Sequence, residues 1–432
     1  MVRQAVLLNL THAPTPGQPR LAGVPLLLRG LLVAQKAGVE EVLILGGADP
    51  GRWLHGQRVK LRWRWLPAES PGDERAALAA ARGQVSEDFI LLFADSICGD
   101  RALAALRQAE LGGKLARVAV HPRESALPEA ASAYLCGPAL LDALAEAPRE
   151  LRRVDQLAAR LAERGRLDTV EVEGRLWGRT TAMAKLGAIE RELSHFNLKP
   201  SDGVFAKFNK LVVAEALIRL FLRTPATPNF ITGLGLLFAL GAGWAFAEGS
   251  YGWSLAGAGL FYVSAIMDHV DGMVARLKFL ESEFGVWFES AADYASYLSV
   301  FLGLALGLYR QTGFAHHLLV GGLFLFAWVM SFILMSRQRR RVSGDNPTDY
   351  PNRVHVALER QQQNFFHWLG RKCYFLVRRA VLPYIILAFC LLDLRVLLLG
   401  WVTLGANLVW LLTLYNNRLF RSPKPAAPAA AD

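Results

Sequence analysis

Long apolar segments in the second half of the chain are the feature that most constrains its fold. Apolar residues make up 53% of the 432 residues, but nearly all of the long apolar runs lie after residue 205. A membrane-spanning helix needs about 20 consecutive, mainly apolar residues, and six segments come close to that length. We therefore predict six transmembrane helices, at residues 230–248, 251–275, 285–309, 314–335, 374–392 and 395–415.

The basic residues predict how these helices are oriented. The net charge is +11, and Lys and Arg concentrate beside the apolar segments, which favours contact with membrane lipids over binding of nucleic acid. The loops after the first, third and fifth spans carry only Arg310 and Arg395, whereas the run RQRRR at 337–341 lies on the opposite side. The positive-inside rule then predicts a multi-pass protein of the inner (cytoplasmic) membrane with both termini in the cytoplasm.

Residues 1–181 alternate short apolar strands with amphipathic helices, a pattern typical of a soluble α/β domain. We predict strands at 5–10, 41–47 and 88–97, with a helix at 25–38 after the first strand. This order, and the run AGVPLLLRGLL…AGVEEVLILGG…ILLFADS, resemble the sugar-nucleotide cytidylyl- and uridylyltransferases. The resemblance implies a nucleotidyltransferase-like, Rossmann-like domain.

The same region departs from that family where nucleotidyl transfer would be carried out. After the first strand it reads NLTHAPTPGQPR, without the glycine cluster of the family. Asp95 stands where the resemblance implies a metal-binding Asp, but Gly178 and Arg179 occupy the place of its acidic partner. We interpret Asp95 as an ordinary polar residue at the end of a strand, with a residual metal ligand as the alternative. The domain is therefore predicted to have lost nucleotidyl transfer.

Residues 182–224 mix charged and apolar residues at helical spacing. We interpret them as a linker followed by an amphipathic helix on the membrane surface, which Pro225 and Pro228 end. The all-α membrane domain then covers residues 225–418, and residues 419–432 are predicted to be disordered.

Four acidic residues lie at regular spacing around predicted spans two and three. Asp268 and Asp271 are three residues apart on one helix, and Glu289 and Asp293 are four apart on the next, so each pair shares a helix face. Carboxylates in a membrane segment are costly to bury and are normally kept for a pathway, a metal or a reaction. Two facing pairs predict an oxygen-rich site for Mg²⁺ or Mn²⁺. Too few basic residues lie on these helices for salt bridges to explain the acids.

These acids belong to a longer pattern. Asp-x-x-Asp-Gly-x-x-Ala-Arg at 268–276 is followed, after eight residues, by Gly-x-x-x-Glu-x-x-x-Asp at 285–293. The pattern resembles the signature of the CDP-alcohol phosphotransferase family, in which the third acid is usually Asp rather than Glu289. TPATPNFIT at 224–232 also resembles the family's approach to its first span. The whole arrangement resembles the di-myo-inositol-phosphate-phosphate synthases fused to an inositol-1-phosphate cytidylyltransferase.

The resemblance implies transfer of a substituted phosphate group from a CDP-alcohol to an acceptor hydroxyl, with release of CMP, in phospholipid or inositol-phosphate synthesis. It implies Asp293 as the catalytic base and, through the family's dimers, a homodimer as one assembly. The implied metal ligands are Asp268, Asp271, Glu289 and Asp293. The implied CDP-binding residues are Asp268, Gly272, Ala275, Arg276 and Gly285. Gly285 is also predicted to let spans two and three approach closely.

Two residues within the pattern carry expectations of their own. Glu289 keeps a carboxylate but adds a methylene, so we expect retained activity with a changed metal preference or rate. His269 lies about 100° away from the face of the aspartates, which predicts a polar contact rather than metal ligation. Two alternatives stay open: a bifunctional enzyme that also turns over CTP, and a non-catalytic membrane scaffold if Glu289 disables the site.

Overall fold

The chain forms two compact units, Met1–Phe196 and Asn197–Asp432. The computed structural model describes residues 1–10, 19–68, 72–121, 131–146, 148, 150–172, 176–179, 183–196, 204–343 and 380–416. Four predicted features lie wholly or partly outside these residues. They are the loop after the first strand, part of the linker at 182–224, the first part of the fifth span and the tail at 419–432.

The first unit alternates strands and helices. Its strands are β1 Gln4–Leu8, β2 Arg20–Leu21, β3 Val24–Pro25, β4 Glu41–Leu45, β5 Arg62–Leu66, β6 Phe89–Phe93, β7 Ser96–Cys98, β8 Ala116–Val120, β9 Ala133–Cys136, β10 Leu167–Glu171 and β11 Leu176–Arg179. Its helices are α1 Leu26–Lys36, α2 Gly51–Leu54, α3 Glu74–Ala79, α4 Asp100–Gln108, α5 Ala139–Ala145, α6 Val154–Glu163 and α7 Met183–Phe196.

Seven of these strands form one sheet in the order β10-β8-β9-β6-β1-β4-β5. The pairs of β1 with β4, β1 with β6, β4 with β5 and β8 with β10 are parallel, and β9 runs antiparallel to both of its neighbours. β1 and β6 are almost wholly buried because strands in a mainly parallel sheet are covered on both faces. The predicted α/β domain is confirmed, and β1, β4 and β6 are the three predicted strands.

The order of the strands creates a switch point between β1 and β6. From β1 the chain moves outward to β4 and β5, and then returns to β6 on the other side of β1. In open α/β sheets, ligands bind beyond the carboxyl ends of the strands at such a point. Asp95 follows β6 at this edge of the sheet.

The second unit is helical. Its helices are α8 Val204–Phe208, a π-helical turn at Asn209–Val213, α9 Glu215–Arg223, α10 Pro228–Ala247, α11 Tyr251–Leu277, α12 Glu283–Thr312, α13 His316–Ser343, α14 Leu382–Leu391 and α15 Arg395–Asn416. Thr227, Ser250 and Ser282 cap the starts of α10, α11 and α12, each accepting a hydrogen bond from a backbone N–H of the first turn.

Three described helices are long and apolar enough to cross a membrane: Pro228–Ala247, Glu283–Thr312 and His316–Leu334. They coincide with predicted spans one, three and four. The apolar helices Leu382–Leu391 and Arg395–Leu411 are shorter. α11 is 27 residues long but includes the polar stretch that contains the two aspartates. Six spans therefore stay a prediction.

α10 is the central helix of this unit and packs against both α11 and α12. Glycines bring the backbones of α10 and α12 together: a Cβ added to Gly303 would lie 2.8 Å from the carbonyl carbon of Gly243 and closer still to its oxygen. A Cβ on Gly307 would likewise meet the backbone of Gly249, with 2.9 Å to its Cα. Small residues allow this approach where helices associate in a membrane.

Candidate active site

Three carboxylates converge where α11 and α12 face each other. Asp268 comes from α11, and Glu289 and Asp293 come from successive turns of α12; one oxygen of each lies within 4.8 Å of the others. All three side chains are half-buried. Two ionised carboxylates at 4.8 Å repel by about 3.5 kcal/mol at an effective dielectric constant of about 20. A cation between them would remove this repulsion.

The donor set fits a hard divalent cation. Mg²⁺ prefers oxygen ligands at about 2.1 Å, so oxygens on opposite sides of the ion are about 4.2 Å apart. The 4.8 Å limit within the group is close to that separation, and small side-chain rotations would close the difference. Glu289 reaches the group despite its longer side chain, so the extra methylene does not withdraw its carboxylate from the site.

Asp271, the fourth predicted acid, points towards α10. It is only 3% exposed, and its Oδ2 accepts a hydrogen bond from the hydroxyl of Thr232. Its Oδ1 is buried and has no hydrogen-bond partner within the described part of the chain. A buried carboxylate oxygen without a donor marks a place where an ion or a water completes the coordination. Asp271 is thus a neighbour of the three-acid group rather than a member of it, and its role as a ligand stays a prediction.

The predicted CDP-binding residues of α11 lie one turn further along the helix. A Cβ added to Gly272 would lie 3.5 Å from Nη1 of Arg276, so the guanidinium lies in contact distance of this part of the helix. Arg276 is half-buried and its Nη2 donates to the sulfur of Met273, at 3.2 Å. Ala275 is also partly exposed. The face therefore combines a small-residue surface with one positive charge, next to Asp271.

Gly285 has a different neighbour from the one predicted. A Cβ there would lie 3.2 Å from Oδ1 of Asn229, at the start of α10, and 3.0 Å from Oγ of Ser282. Gly285 therefore lies against α10, and the prediction that it brings spans two and three together is wrong. A close approach of helix backbones is made instead by Gly303 and Gly243, between α12 and α10.

His269 makes the polar contact that was predicted for it. Its Nε2 lies 3.2 Å from Nδ2 of Asn209, and Nδ1 lies 3.9 Å from Oδ2 of Asp268. Asn209 is 2% exposed and belongs to the π-helical turn. It also donates to the carbonyl of Ala380 and accepts from the hydroxyl of Tyr384. This buried network connects the turn to α11 and α14 beside an acid of the site, and π-helical turns often accompany functional sites.

Sequence reasoning missed three residues that shape the site. Thr232 lies within TPATPNFIT, which was recognised only as part of the approach to the first span. Asn209 sits in an amphipathic stretch, where no local pattern indicates burial. Lys278 follows α11, and its Nζ donates to the carbonyls of Phe221 and Thr224 at 2.8 and 2.7 Å. It holds the end of α9 against the end of the helix that carries two of the acids.

Residues 225–358 match the family model of the CDP-alcohol phosphatidyltransferases. This part of the chain is therefore similar to a CDP-alcohol phosphatidyltransferase domain. The resemblance drawn from the spacing of the acids is thereby confirmed. The family transfers phosphate-containing groups, binds a CDP-alcohol and an acceptor alcohol, and generally depends on a divalent metal. The matched residues include Thr232 together with all four acids.

Comparison with solved structures found chains of low sequence identity that cover 44–45% of this chain. One is a putative glucose-1-phosphate thymidylyltransferase from Bacillus anthracis in complex with a sucrose, with 12% identity over 44% of this chain and 96% of that chain and a TM-score of 0.35. Another is the inositol-1-phosphate CTP transferase from T. maritima, with 12% identity over 44% of this chain and 97% of that chain and a TM-score of 0.35. Comparison with curated proteins found no significant match.

Proposed function

We propose that the chain transfers a substituted phosphate group from a CDP-alcohol to the hydroxyl of an acceptor and releases CMP, in phospholipid or inositol-phosphate synthesis. The observation that carries this proposal is the convergence of Asp268, Glu289 and Asp293 within a CDP-alcohol phosphatidyltransferase domain. Acids brought together at the mouth of apolar helices serve a metal or a reaction far more often than stability.

In this reaction the acceptor oxygen forms a bond to the phosphorus that carries the alcohol. The bond from that phosphorus to the oxygen of the CMP phosphate breaks, and CMP leaves with the electron pair. The proton of the acceptor hydroxyl must be taken up as the new bond forms. We assign that proton to Asp293, which lies in the acid group and is half-buried.

The ligands of Mg²⁺ or Mn²⁺ in this proposal are Asp268, Asp271, Glu289 and Asp293. A bound divalent cation would stabilise the charge that develops on the departing phosphate. Arg276 is assigned to the diphosphate, because a guanidinium matches the geometry of phosphate oxygens. Gly272, Ala275 and Gly285 are assigned to close contact with the cytidine diphosphate, because small residues let a ligand approach the helix backbone.

Glu289 is proposed to be a working ligand. The supporting observation is that its carboxylate reaches the same group as Asp268 and Asp293. A decayed site would not need to keep an acid there, and it would not need to keep the acid within reach of the others. The non-catalytic scaffold is therefore the weaker of the alternatives.

For the membrane, we propose the inner (cytoplasmic) membrane, six spans and both termini in the cytoplasm. Three apolar helices of sufficient length and the membrane family of the domain support membrane insertion. The orientation rests on the distribution of Lys and Arg in the sequence. A homodimer is the proposed assembly, by resemblance to the family.

The test is CMP release by the purified full-length protein. CDP-diacylglycerol, CDP-inositol and related donors are screened in the presence of Mg²⁺ or Mn²⁺, each with hydroxyl acceptors. We expect CMP release with at least one donor, and a loss of about 10²- to 10⁴-fold in Asp293→Asn, the range for removal of a general base. Glu283→Gln is the matched control, since this exposed acid lies on the same helix outside the group.

Two results would overturn the proposal. Absence of CMP release with every donor, from protein that is folded and contains bound metal, would favour the scaffold. Full activity of Asp293→Asn would reject the assignment of the base. Release of pyrophosphate from CTP would instead identify the bifunctional enzyme.

A further inference from the structure

A second cluster of acidic residues lies in the N-terminal unit and surrounds a protein cation. Glu74 begins α3, Asp95 follows β6, and Asp155 lies in the first turn of α6. All three form ion pairs with the guanidinium of Arg179, at 2.6 Å for Glu74, 3.1 Å for Asp95 and 3.6 Å for Asp155. The side chain of Arg179 is 13% exposed, so the cluster is largely shielded from water.

The pairing of two short strands carries Arg179 to this place. β11 runs antiparallel to β7, and its last residue, Arg179, pairs with Ser96, the residue after Asp95. Gly178 has a φ of +72° at an irregularity in this ladder, a conformation that glycine adopts without strain. The guanidinium then lies over the ring of Phe93, 4.2 Å from its centre.

Arg179 and one backbone N–H occupy all four oxygens of Glu74 and Asp95. The Nη2 of Arg179 donates to Oε1 of Glu74, while the backbone N–H of Val154 donates to Oε2 at 2.8 Å. Asp95 accepts from Nε at Oδ1 and from Nη2 at Oδ2, at 3.1 and 3.2 Å. This two-pronged geometry is the strongest arrangement of a guanidinium with a carboxylate.

The oxygens of Asp155 are engaged as well. Oδ1 accepts from the hydroxyl of Tyr134 at 3.2 Å, and Oδ2 accepts from Arg153 at 3.0 Å in addition to its contact with Arg179. Every carboxylate oxygen of the cluster therefore has a donor. A divalent cation would have to displace these donors and also approach a fixed positive charge.

The charge of Arg179 is itself secured by the cluster. Burial lowers the pKa of this guanidinium, but the hydrogen bond to Glu74 and the negative charge of Asp95 outweigh that effect and raise the pKa above its ordinary value. Arg179 is therefore charged at neutral pH.

We infer that the guanidinium of Arg179 takes the place of a metal ion in the second acidic cluster and that this cluster binds no divalent metal. The residues do not fit the metal that the resemblance to nucleotidyltransferases implies at Asp95. In the sequence, Gly178 and Arg179 stand in place of the expected acidic partner. Of these two residues, Arg179 makes the ion pairs of the cluster. Metal-dependent nucleotidyl transfer at Asp95 is therefore absent from this chain.

The test counts Mn²⁺ bound per chain in the purified full-length protein, from the electron paramagnetic resonance signal of free Mn²⁺. Wild type and Asp95→Asn are expected to bind the same number of ions. Arg179→Met is expected to gain one Mn²⁺ per chain, and the gained ion is expected to disappear in the double variant Arg179→Met/Asp95→Asn. Arg82→Met is the matched control: it breaks an exposed pair with Asp142 and is expected to gain no ion.

A loss of one Mn²⁺ in Asp95→Asn relative to wild type would overturn the inference, because Asp95 would then bind metal beside Arg179. A folded Arg179→Met protein without a gained ion would overturn it as well. Circular dichroism and size-exclusion chromatography check folding. If Arg179→Met does not fold, the comparison of wild type with Asp95→Asn decides the question alone. Asp95-dependent release of pyrophosphate from CTP and Mg²⁺ would also contradict the inference.

Discussion

The contact between α10 and α12 at Gly303 offers a sharp test of how the site is held together. In Gly303→Ala the new Cβ would lie 2.8 Å from the carbonyl carbon of Gly243 and 3.1 Å from its Cα. Ordinary contacts between carbon atoms are about 3.5–4.0 Å. The two helices must therefore separate by about 1 Å, since the obstructing atoms belong to the backbone and cannot rotate away.

This separation should affect both stability and activity. Overpacking of a well-packed interior costs about 1–3 kcal/mol of folding free energy. α12 carries Glu289 and Asp293, and α10 carries Thr232, which bonds Asp271. A misplacement of about 1 Å at a reacting centre can lower the rate about 10²-fold. We expect a lower melting temperature in detergent and a 10- to 100-fold slower release of CMP.

Gly259→Ala, on α11, is the matched control, because an added Cβ there meets nothing within 4 Å. It should leave CMP release unchanged and the melting temperature equal or slightly higher, since alanine favours a helix more than glycine does. If Gly303→Ala and Gly259→Ala had the same melting temperature and the same rate, the close contact between α10 and α12 would have no part in positioning the acids. The reasoning from helix packing to the site would then be refuted.

Three further predictions concern other parts of the chain. Glu289→Asp should retain CMP release but change the ratio of the rates with Mg²⁺ and Mn²⁺, because the shorter side chain moves one ligand; an unchanged ratio would argue against Glu289 as a ligand. Lys278→Met removes hydrogen bonds to the carbonyls of Phe221 and Thr224, so hydrogen exchange should speed up at the end of α9, whereas equal exchange would contradict the contact. Burial, with a smaller contribution from the charge of Asp100, raises the pKa of Cys98 to about 12. Only roughly one thiol in 10,000 is then ionised at pH 8, so iodoacetamide should label Cys98 far more slowly in the folded than in the unfolded protein, as mass spectrometry of peptides would verify.

The helices that carry the site could be located from the sequence because helix formation and membrane insertion depend on local patterns. Apolar length predicted the three helices that meet the requirements of a span, and the spacing of three and four residues predicted which acids share a face. The strands β1, β4 and β6 were likewise visible as apolar runs. The resemblance of the helical unit to its family followed from eight positions within 26 residues, Asp268 to Asp293.

The neighbours of each helix face could not be predicted in the same way. Gly285 was expected to contact α11 and instead lies against Asn229 of α10, because α10 packs against both of the acid-bearing helices. The same arrangement turns Asp271 towards Thr232, which comes from a segment 39 residues earlier in the chain. No spacing within α11 indicates that its two aspartates have different partners.

In the N-terminal unit, Arg179 likewise has one property that the sequence predicts and another that only the packing decides. The sequence by itself determined that an acidic partner for Asp95 is missing at this position, because the residue types are read directly. The pairing of Arg179 with Asp95 depends on the register of β11 against β7. It also depends on α3, which precedes Asp95 and carries Glu74, and on α6, which follows Asp95 and carries Asp155. Local periodicity fixes which residues share a face, whereas the contacts of that face come from segments tens of residues away, and only the packed structure decides them.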